Sequence, residues 1–247
     1  MSVRSVSQST AADIMTVTIA RRVRDREIVF VGHSSPLPLA AVFLAKRLYA
    51  PHVTVINLSG GVDPRPRYLP VATMSSELFR GSASLFTLPE FYDLVARRRV
   101  DLAFFSAPQI DARARLNNSM LGSPDHPKVK FIGGGGAGFA MSLARRVVVW
   151  RTRHDRRTFV EACDFVTAAG NVDRVYTPLC VFRPGRDGLL EVESIHPFTS
   201  LDEIQERTGF PLRVPSDGVE TTPAPTADEL RALSELDPHE SRVANFA

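Results

Sequence analysis

The chain has 247 residues, 44% of them hydrophobic, enough for one large domain or two small ones around a substantial core. Its 30 basic residues stand against 27 acidic ones, and a net charge of +3 is too near balance to mark a nucleic-acid binder. Two cysteines, Cys163 and Cys180, give neither a disulfide framework nor metal-type spacing, and no run reaches the roughly 20 apolar residues of a membrane span. Met1 to Ala12 is polar and lacks the apolar core of a signal peptide, so a reduced, cytoplasmic setting away from membranes is expected.

In chain order, Asp13 to Arg24 has apolar residues at helical spacing and predicts a first helix. Glu27 to Gly32 reads as a buried strand running into a turn. Leu37 to Tyr49 reads as a helix with Lys46 and Arg47 near its end, stopped by Pro51. Val53 to Ile56 is short, apolar and β-branched, the pattern of a parallel strand covered on both faces. Pro89 to Arg98 predicts a helix, Asp101 to Phe105 a strand, Lys128 to Ile132 another, and Phe139 to Arg145 a helix after a glycine run. Further strands are expected at Val147 to Trp150, Phe165 to Thr167, Val175 to Phe182 and Leu189 to Ile195. Residues 209–247 form a Pro-rich irregular tail with a last helix from Thr226 to Glu235, opened by the capping-box pattern Thr226-Ala-Asp-Glu229. The alternation predicts a single α/β domain over 1–247, an open, largely parallel sheet flanked by helices in three layers, with residues 1–12 flexible.

Two segments stand out chemically. The turn Asn57-Leu58-Ser59-Gly60-Gly61-Val62-Asp63 follows a buried strand. The run Gly133-Gly134-Gly135-Gly136-Ala137-Gly138 lies between a strand and a helix, where backbone amides can turn toward a phosphate or thioester oxygen. Such runs also serve tight turns, and neither a Walker A nor a dinucleotide fingerprint is completed here. Gln109, Asp111 and Asn117 either satisfy backbone groups of a turn or position a substrate. His33 and His154 have no nucleophile beside them and read as surface or packing residues. Arginine clusters at Arg21-Arg22, Arg97 to Arg99, Arg145-Arg146 and Arg151 to Arg157 are solvated or subunit-facing surface, or contacts for an anionic cofactor.

The two segments, with Ala107-Pro-Gln109-Ile-Asp111 leading to Asn117 and with His154-Asp-Arg156-Arg157-Thr-Phe159-Val160 leading to Asp164-Phe-Val-Thr167, resemble the B-type (beta) subunits of class I CoA-transferases of the glutaconate type. Four matched segments in the right order are far more specific than any one of them, and the resemblance covers nearly the whole chain. In that family a strand ends in Glu-x-Gly, and the glutamate attacks a thioester, passing CoA through a covalent intermediate. Here that position falls on Leu58, with Ser59 and Gly60 following in register.

The resemblance implies a CoA-transferase-like fold and an A-type (alpha) partner subunit in an alpha2beta2 assembly. It implies an acyl-CoA substrate, coenzyme A entering as part of that substrate, with no tightly bound cofactor and no metal. It places Leu58, Ser59 and Gly60 at the catalytic position and Gly133, Gly134, Gly135, Gly136, Ala137, Gln109 and Asn117 around the acyl-CoA, the glycine loop helping to form an oxyanion pocket. The family usually has asparagine where this chain has Gly138. Loss of the glutamate favours decarboxylation of a glutaconyl-type CoA, as in members that lack that residue. The alternatives are true CoA transfer, a ring-opening hydrolase whose glutamate sits in the partner, a serine nucleophile at Ser59, and a non-catalytic subunit.

Overall fold

Short apolar runs between polar turns set the strands, and burial shows which of them carry the fold. The computed structural model describes residues 7–216 and 218–246, which divide into two compact units: residues 7–104 with 223–246, and residues 105–222.

In the first unit, helix α1 (Gln8–Ala20) opens at Ser7, whose hydroxyl accepts the Thr10 amide at 3.1 Å. The helix starts five residues before the position read from the sequence. Residues 8–12, expected to be flexible, form its first turn and bury Ala11 and Ala12, while residues 1–6 lie outside the described residues. Strand β1 (Ile28–Val31), helix α2 (Pro36–Leu48), strand β2 (Thr54–Asn57), the short β3 (Gly61–Val62) and β4 (Ser84–Leu85), helix α3 (Leu88–Ala96) and strand β5 (Leu102–Phe105) follow. The strand order is β5-β1-β2-β3-β4. β1 runs parallel to β2, from Ile28 opposite Thr54 to Val31 opposite Asn57, and parallel to β5 on its other side. β3 and β4 continue the sheet antiparallel. Val29, Val31, Val53, Val55 and the α2 residues Leu37, Leu39 and Leu44 are fully buried, each contributing about 1.5–3 kcal/mol. α2 packs on both α1 and β1.

The second unit is built from β6 (Gln109–Asp111), β7 (Leu116–Asn117), β8 (Met120–Gly122), β9 (Pro127–Lys130), α4 (Ala137–Leu143), β10 (Arg146–Trp150), β11 (Phe159–Val160), β12 (Val172–Tyr176), β13 (Cys180–Pro184), β14 (Leu190–Ile195), α5 (Leu201–Arg207) and β15 (Glu220–Thr221). β10 and β12 are parallel, β12, β13 and β14 antiparallel, and β14 and β15 parallel. A small sheet, β11-β6-β7, and the hairpin β8-β9 stand beside them. Two strand expectations change. The stretch Val175 to Phe182 is a hairpin, because Pro178 cannot continue a ladder and the Thr177 hydroxyl gathers the amides of Leu179 at 3.1 Å and Cys180 at 3.0 Å. Phe165 to Thr167 is no strand; Phe159–Val160 takes the ladder position on β6, and only Ala168 bridges to Leu116.

The tail completes the first unit. Helix α6 (Ala227–Leu236) carries the expected capping box, with the Thr226 amide on Glu229 at 2.7 Å and the Glu229 amide on the Thr226 hydroxyl at 3.3 Å. The same carboxylate receives Arg21 Nε at 2.7 Å and Nη2 at 2.6 Å, and the Tyr49 hydroxyl. Farther on, Arg242, 6% exposed, binds Asp13 at 2.7 Å and Asp237 at 3.0 Å. The α/β class and open sheets read from the sequence hold in both units. No helix among the described residues is long and apolar enough to cross a membrane.

Candidate active site

β2 ends at Asn57, and a tight turn through Leu58, Ser59 and Gly60 leads into β3. Buried Asn57 organises it: Oδ1 accepts the Ser59 amide at 2.9 Å, and Nδ2 donates to the carbonyls of Gly61 at 3.1 Å and Leu78 at 3.3 Å. Gly60 sits at φ +105°, and a Cβ there would stand 2.6 Å from the Phe86 carbonyl oxygen, so glycine alone closes the turn. The Leu58 amide donates to the Val31 carbonyl at 3.3 Å, and its side chain is partly exposed.

The polar groups of this turn are committed. Ser59 Oγ donates to the Thr73 carbonyl at 2.9 Å, and Thr73 Oγ1 donates to the Gly32 carbonyl at 2.8 Å. No imidazole enters this chain of bonds, so nothing there withdraws the serine proton, as a serine nucleophile requires. The one carboxylate between residues 57 and 63 is Asp63, whose Oδ1 accepts Lys46 Nζ at 2.8 Å and the Val55 amide at 2.8 Å. It braces the strand ends.

In the second unit, Gly133 donates its amide to the Asn118 carbonyl at 2.9 Å, and the carbonyls of Gly134 and Gly136 accept the amides of Ala137 and Ala140, both at 2.8 Å. The amides of Gly134, Gly135 and Gly136 have no acceptor among the described residues. Gly133 and Gly135 take φ of +90° and +52°, with open space where a Cβ would project. Gly134 is needed for a different reason: its Cβ would lie 2.5 Å from Thr167 Cγ2. Gly138 lies close to the Thr167 carbonyl, 3.1 Å from an added Cβ.

Gln109 and Asn117 connect to this loop through Asn118, whose carbonyl accepts the Gly133 amide. Asn117 Nδ2 donates to Gln109 Oε1 at 2.7 Å and to the Met120 carbonyl at 2.6 Å, and its Oδ1 accepts the amides of Ser119 at 3.0 Å and Met120 at 3.2 Å. Gln109 Nε2 donates to Asp164 at 3.1 Å, and Asp164 accepts the Gly122 amide at 2.6 Å. Those two bonds, the backbone one first, hold the Asp164 carboxyl below its ordinary range. Thr167 Oγ1 takes the Asn118 amide at 2.9 Å and shares a proton with Ser119 at 2.7 Å. Asn117 thus spends its whole hydrogen-bonding capacity inside the unit. Gln109, Asn117 and the glycine loop are brought together through Asn118 and Thr167, whereas Leu58, Ser59 and Gly60 belong to the other unit.

His154, His196 and Cys180 are buried, and Cys163 is partly so. His154, 5% exposed, lies between the hydroxyls of Thr177 and Thr208, each at 2.9 Å, with Phe159 4.3 Å from its ring. Burial, helped by the charge of Arg207, lowers its pKa to about 3. His196 is fully buried between Thr222 and the Thr177 carbonyl, and burial lowers it to about 4 against a partly opposing bond to that carbonyl. Burial raises the thiols of Cys163 and Cys180 to about 12, far from a thiolate nucleophile. His33 is exposed. No group of three or more His, Cys, Asp or Glu among the described residues is placed to hold a metal ion.

The sequence pattern of the family described as coenzyme A transferase matches residues 12–207. The chain belongs to that family. It is 30% identical to the B-type subunit of 3-oxoadipate CoA-transferase from Pseudomonas knackmussii over 244 residues, 91% of this chain and 92% of that one. It is 27% identical to the B-type subunit of glutaconate CoA-transferase from Acidaminococcus fermentans, with 95% of each covered. The crystal structure of the decarboxylase AibA/AibB superposes with a TM-score of 0.90 at 31% identity, over 96% of this chain and 99% of that one.

In this member of the coenzyme A transferase family, four residues that hold the two segments went unremarked in the sequence as site residues. Asn57 and Thr73 hold the Leu58 turn, and Asp164 and Thr167 hold the glycine loop. The last two lie inside a segment that carries the family resemblance, which was a usable signal. Thr73 had none, because its role depends on a loop returning over the turn.

Proposed function

We propose that this coenzyme A transferase family member is the B-type component of a heteromeric acyl-CoA enzyme, paired with an A-type subunit, that decarboxylates a glutaconyl-type CoA. The observation that carries the reading is Leu58, an apolar side chain in a turn whose only carboxylate is engaged by Lys46. Transfer by the family's covalent route needs a carboxylate to attack the thioester, and leucine has no lone pair. Decarboxylation needs no such attack. The bond to the free carboxylate breaks, its electron pair moves through the adjacent double bond into the thioester carbonyl, carbon dioxide leaves, and a proton is added at carbon. Donors for the developing enolate oxygen are the step's main requirement, and the unpartnered amides of Gly134, Gly135 and Gly136 are such donors. An uncharged residue at position 58 also removes repulsion toward a dicarboxylate-derived substrate. The likeness to AibA/AibB supports this reading.

The test is a co-purified complex with its A-type partner, given glutaconyl-CoA labelled in the free carboxylate. Labelled carbon dioxide is the expected product. Formation of acetyl-CoA and free glutaconate from added acetate, with no label released, would overturn the reading. A second reading, CoA transfer between carboxylic acids, is favoured by the 30% identity to the 3-oxoadipate enzyme. It requires a glutamyl thioester that borohydride would trap on this chain.

A further inference from the structure

Recessed arginines in this chain close ion pairs. Arg21 reaches Glu229 at 2.6 Å, Arg146 reaches Asp173 at 3.3 Å, Arg174 reaches Glu193 at 2.5 Å and Arg242 reaches Asp13 at 2.7 Å. Arg151 departs from that pattern. Its side chain is mostly buried, its Nε is sealed from solvent without a hydrogen-bond partner, and no carboxylate pairs with it among the described residues. Asp155 supplies an attractive charge nearby, but that carboxylate is taken by Arg153 Nε at 2.5 Å and by the amides of Arg157 at 3.0 Å and Thr158 at 2.9 Å. Burial, and then the charge of Arg153, press the Arg151 pKa below the usual guanidinium value. A recessed cation without a counter-charge is costly to the fold unless an anion arrives from elsewhere.

Its position fits such an arrival. Arg151 follows the last residue of β10, and its amide is fixed to the Tyr176 carbonyl at 2.9 Å at the end of the parallel neighbour β12. The carboxyl ends of parallel strands are where open α/β sheets hold ligands. A guanidinium fork matches the two oxygens of either a carboxylate or a phosphate. We propose that Arg151 is the receptor for an oxyanion carried by the substrate, a phosphate of CoA or the free carboxylate of the acyl group. The assignment rests on the acyl-CoA reading above.

The experiment uses the complex with its A-type partner and reads ligand binding by the quench of Trp150, the only tryptophan of this chain and adjacent to Arg151, with Trp150→Phe as the control that assigns the signal. Arg151→Met should weaken binding of the anion-bearing ligand by about 10- to 100-fold, as expected for a lost charge-assisted hydrogen bond, and Arg151→Lys should recover part of it. If the phosphate is the source, the loss appears with CoA and not with pantetheine. If the acyl carboxylate is the source, it appears with glutaryl-CoA and not with butyryl-CoA. Unchanged binding of all four by Arg151→Met overturns the assignment while leaving the acyl-CoA reading intact. So does a variant whose only defect, on size-exclusion chromatography, is failure to hold its A-type partner, which makes the counter-charge a carboxylate of that partner. Should the wild-type complex bind no CoA compound, inorganic pyrophosphate and glutarate serve as bare probes. An Arg151-dependent quench by either keeps the anion site and sinks the acyl-CoA reading, and no quench sinks both.

Discussion

The buried pair His154 and His196 makes the stability of this protein fall steeply in mild acid. Both are held neutral, at about 3 and about 4, while an unfolded histidine titrates near 6.5. A lowered folded pKa means that the unfolded chain binds the extra proton, so the stabilisation is complete above pH 6.5 and drains away below it. Between pH 7.5 and pH 5.5 each histidine forfeits about 1.4 kcal/mol, roughly 3 kcal/mol together, with a local slope of about 2.5 kcal/mol per pH unit near pH 5.5. Neither ring can relieve this by turning to water, because both nitrogens of each face Thr177, Thr208 or Thr222 inside the unit. The assay is urea unfolding at half-unit intervals from pH 8 to pH 5. His154→Gln, whatever it costs at pH 7.5, should remove one of the two protons and roughly halve the slope that the pair supplies. An identical slope in wild type and variant would refute the argument, as would equal stability at pH 7.5 and 5.5.

Two further outcomes follow from the geometry. Glu229 is pushed upward by burial, but its bonds from Arg21, the Thr226 amide and Tyr49 outweigh that and bring it down to about 2, so its contribution is complete above pH 4.5 and lost as the pH falls toward 2. Glu229→Gln should cost about 2–4 kcal/mol at pH 7 and flatten the acid limb below pH 4.5, read by the same urea titrations. Gly134→Ala drives a methyl to 2.5 Å from Thr167 Cγ2 and should lose about 1–3 kcal/mol, while Thr167→Ser in the same chain, which keeps the hydroxyl and removes that methyl, should restore most of it; additive losses in the double-mutant cycle would count against the contact.

Much of this structure was legible where local chemistry and pattern agreed. Val53 to Ile56 gave a buried parallel strand, and Thr226 with Glu229 announced the helix they cap. The glycines at 60 and 61 signalled a turn that the structure makes sterically exclusive. The misses at Phe165 to Thr167 and at the candidate site depend on partners that meet only in the fold. Phe165 to Thr167 has strand composition, but the ladder on β6 went to Phe159–Val160, and Thr167 instead spends its amide on Leu116 and its hydroxyl on Asn118 and Ser119. Pro178 was the local warning against one long strand from Val175. At the candidate site, residue types such as Gln109 and Asn117 were readable, but their mutual bonds were not, because an amide pair eight residues apart meets only after two strands turn back on each other.

The chain's tail sets an order of events during synthesis. Residues 105–222 form their unit from one uninterrupted stretch, whereas the unit holding the Leu58 turn is assembled from two stretches separated by it. Until residues 223–246 are made, Arg21, Tyr49 and Asp13 lack the acids and the arginine that engage them in the finished protein. The first unit therefore cannot be completed until nearly the whole chain has been made, although domains usually fold amino-terminal part first. A nascent chain stalled before residue 223 would hold every residue that forms the Leu58 turn but would lack Glu229 and Arg242, so the first unit would be short of the ion pairs that tie its two stretches together.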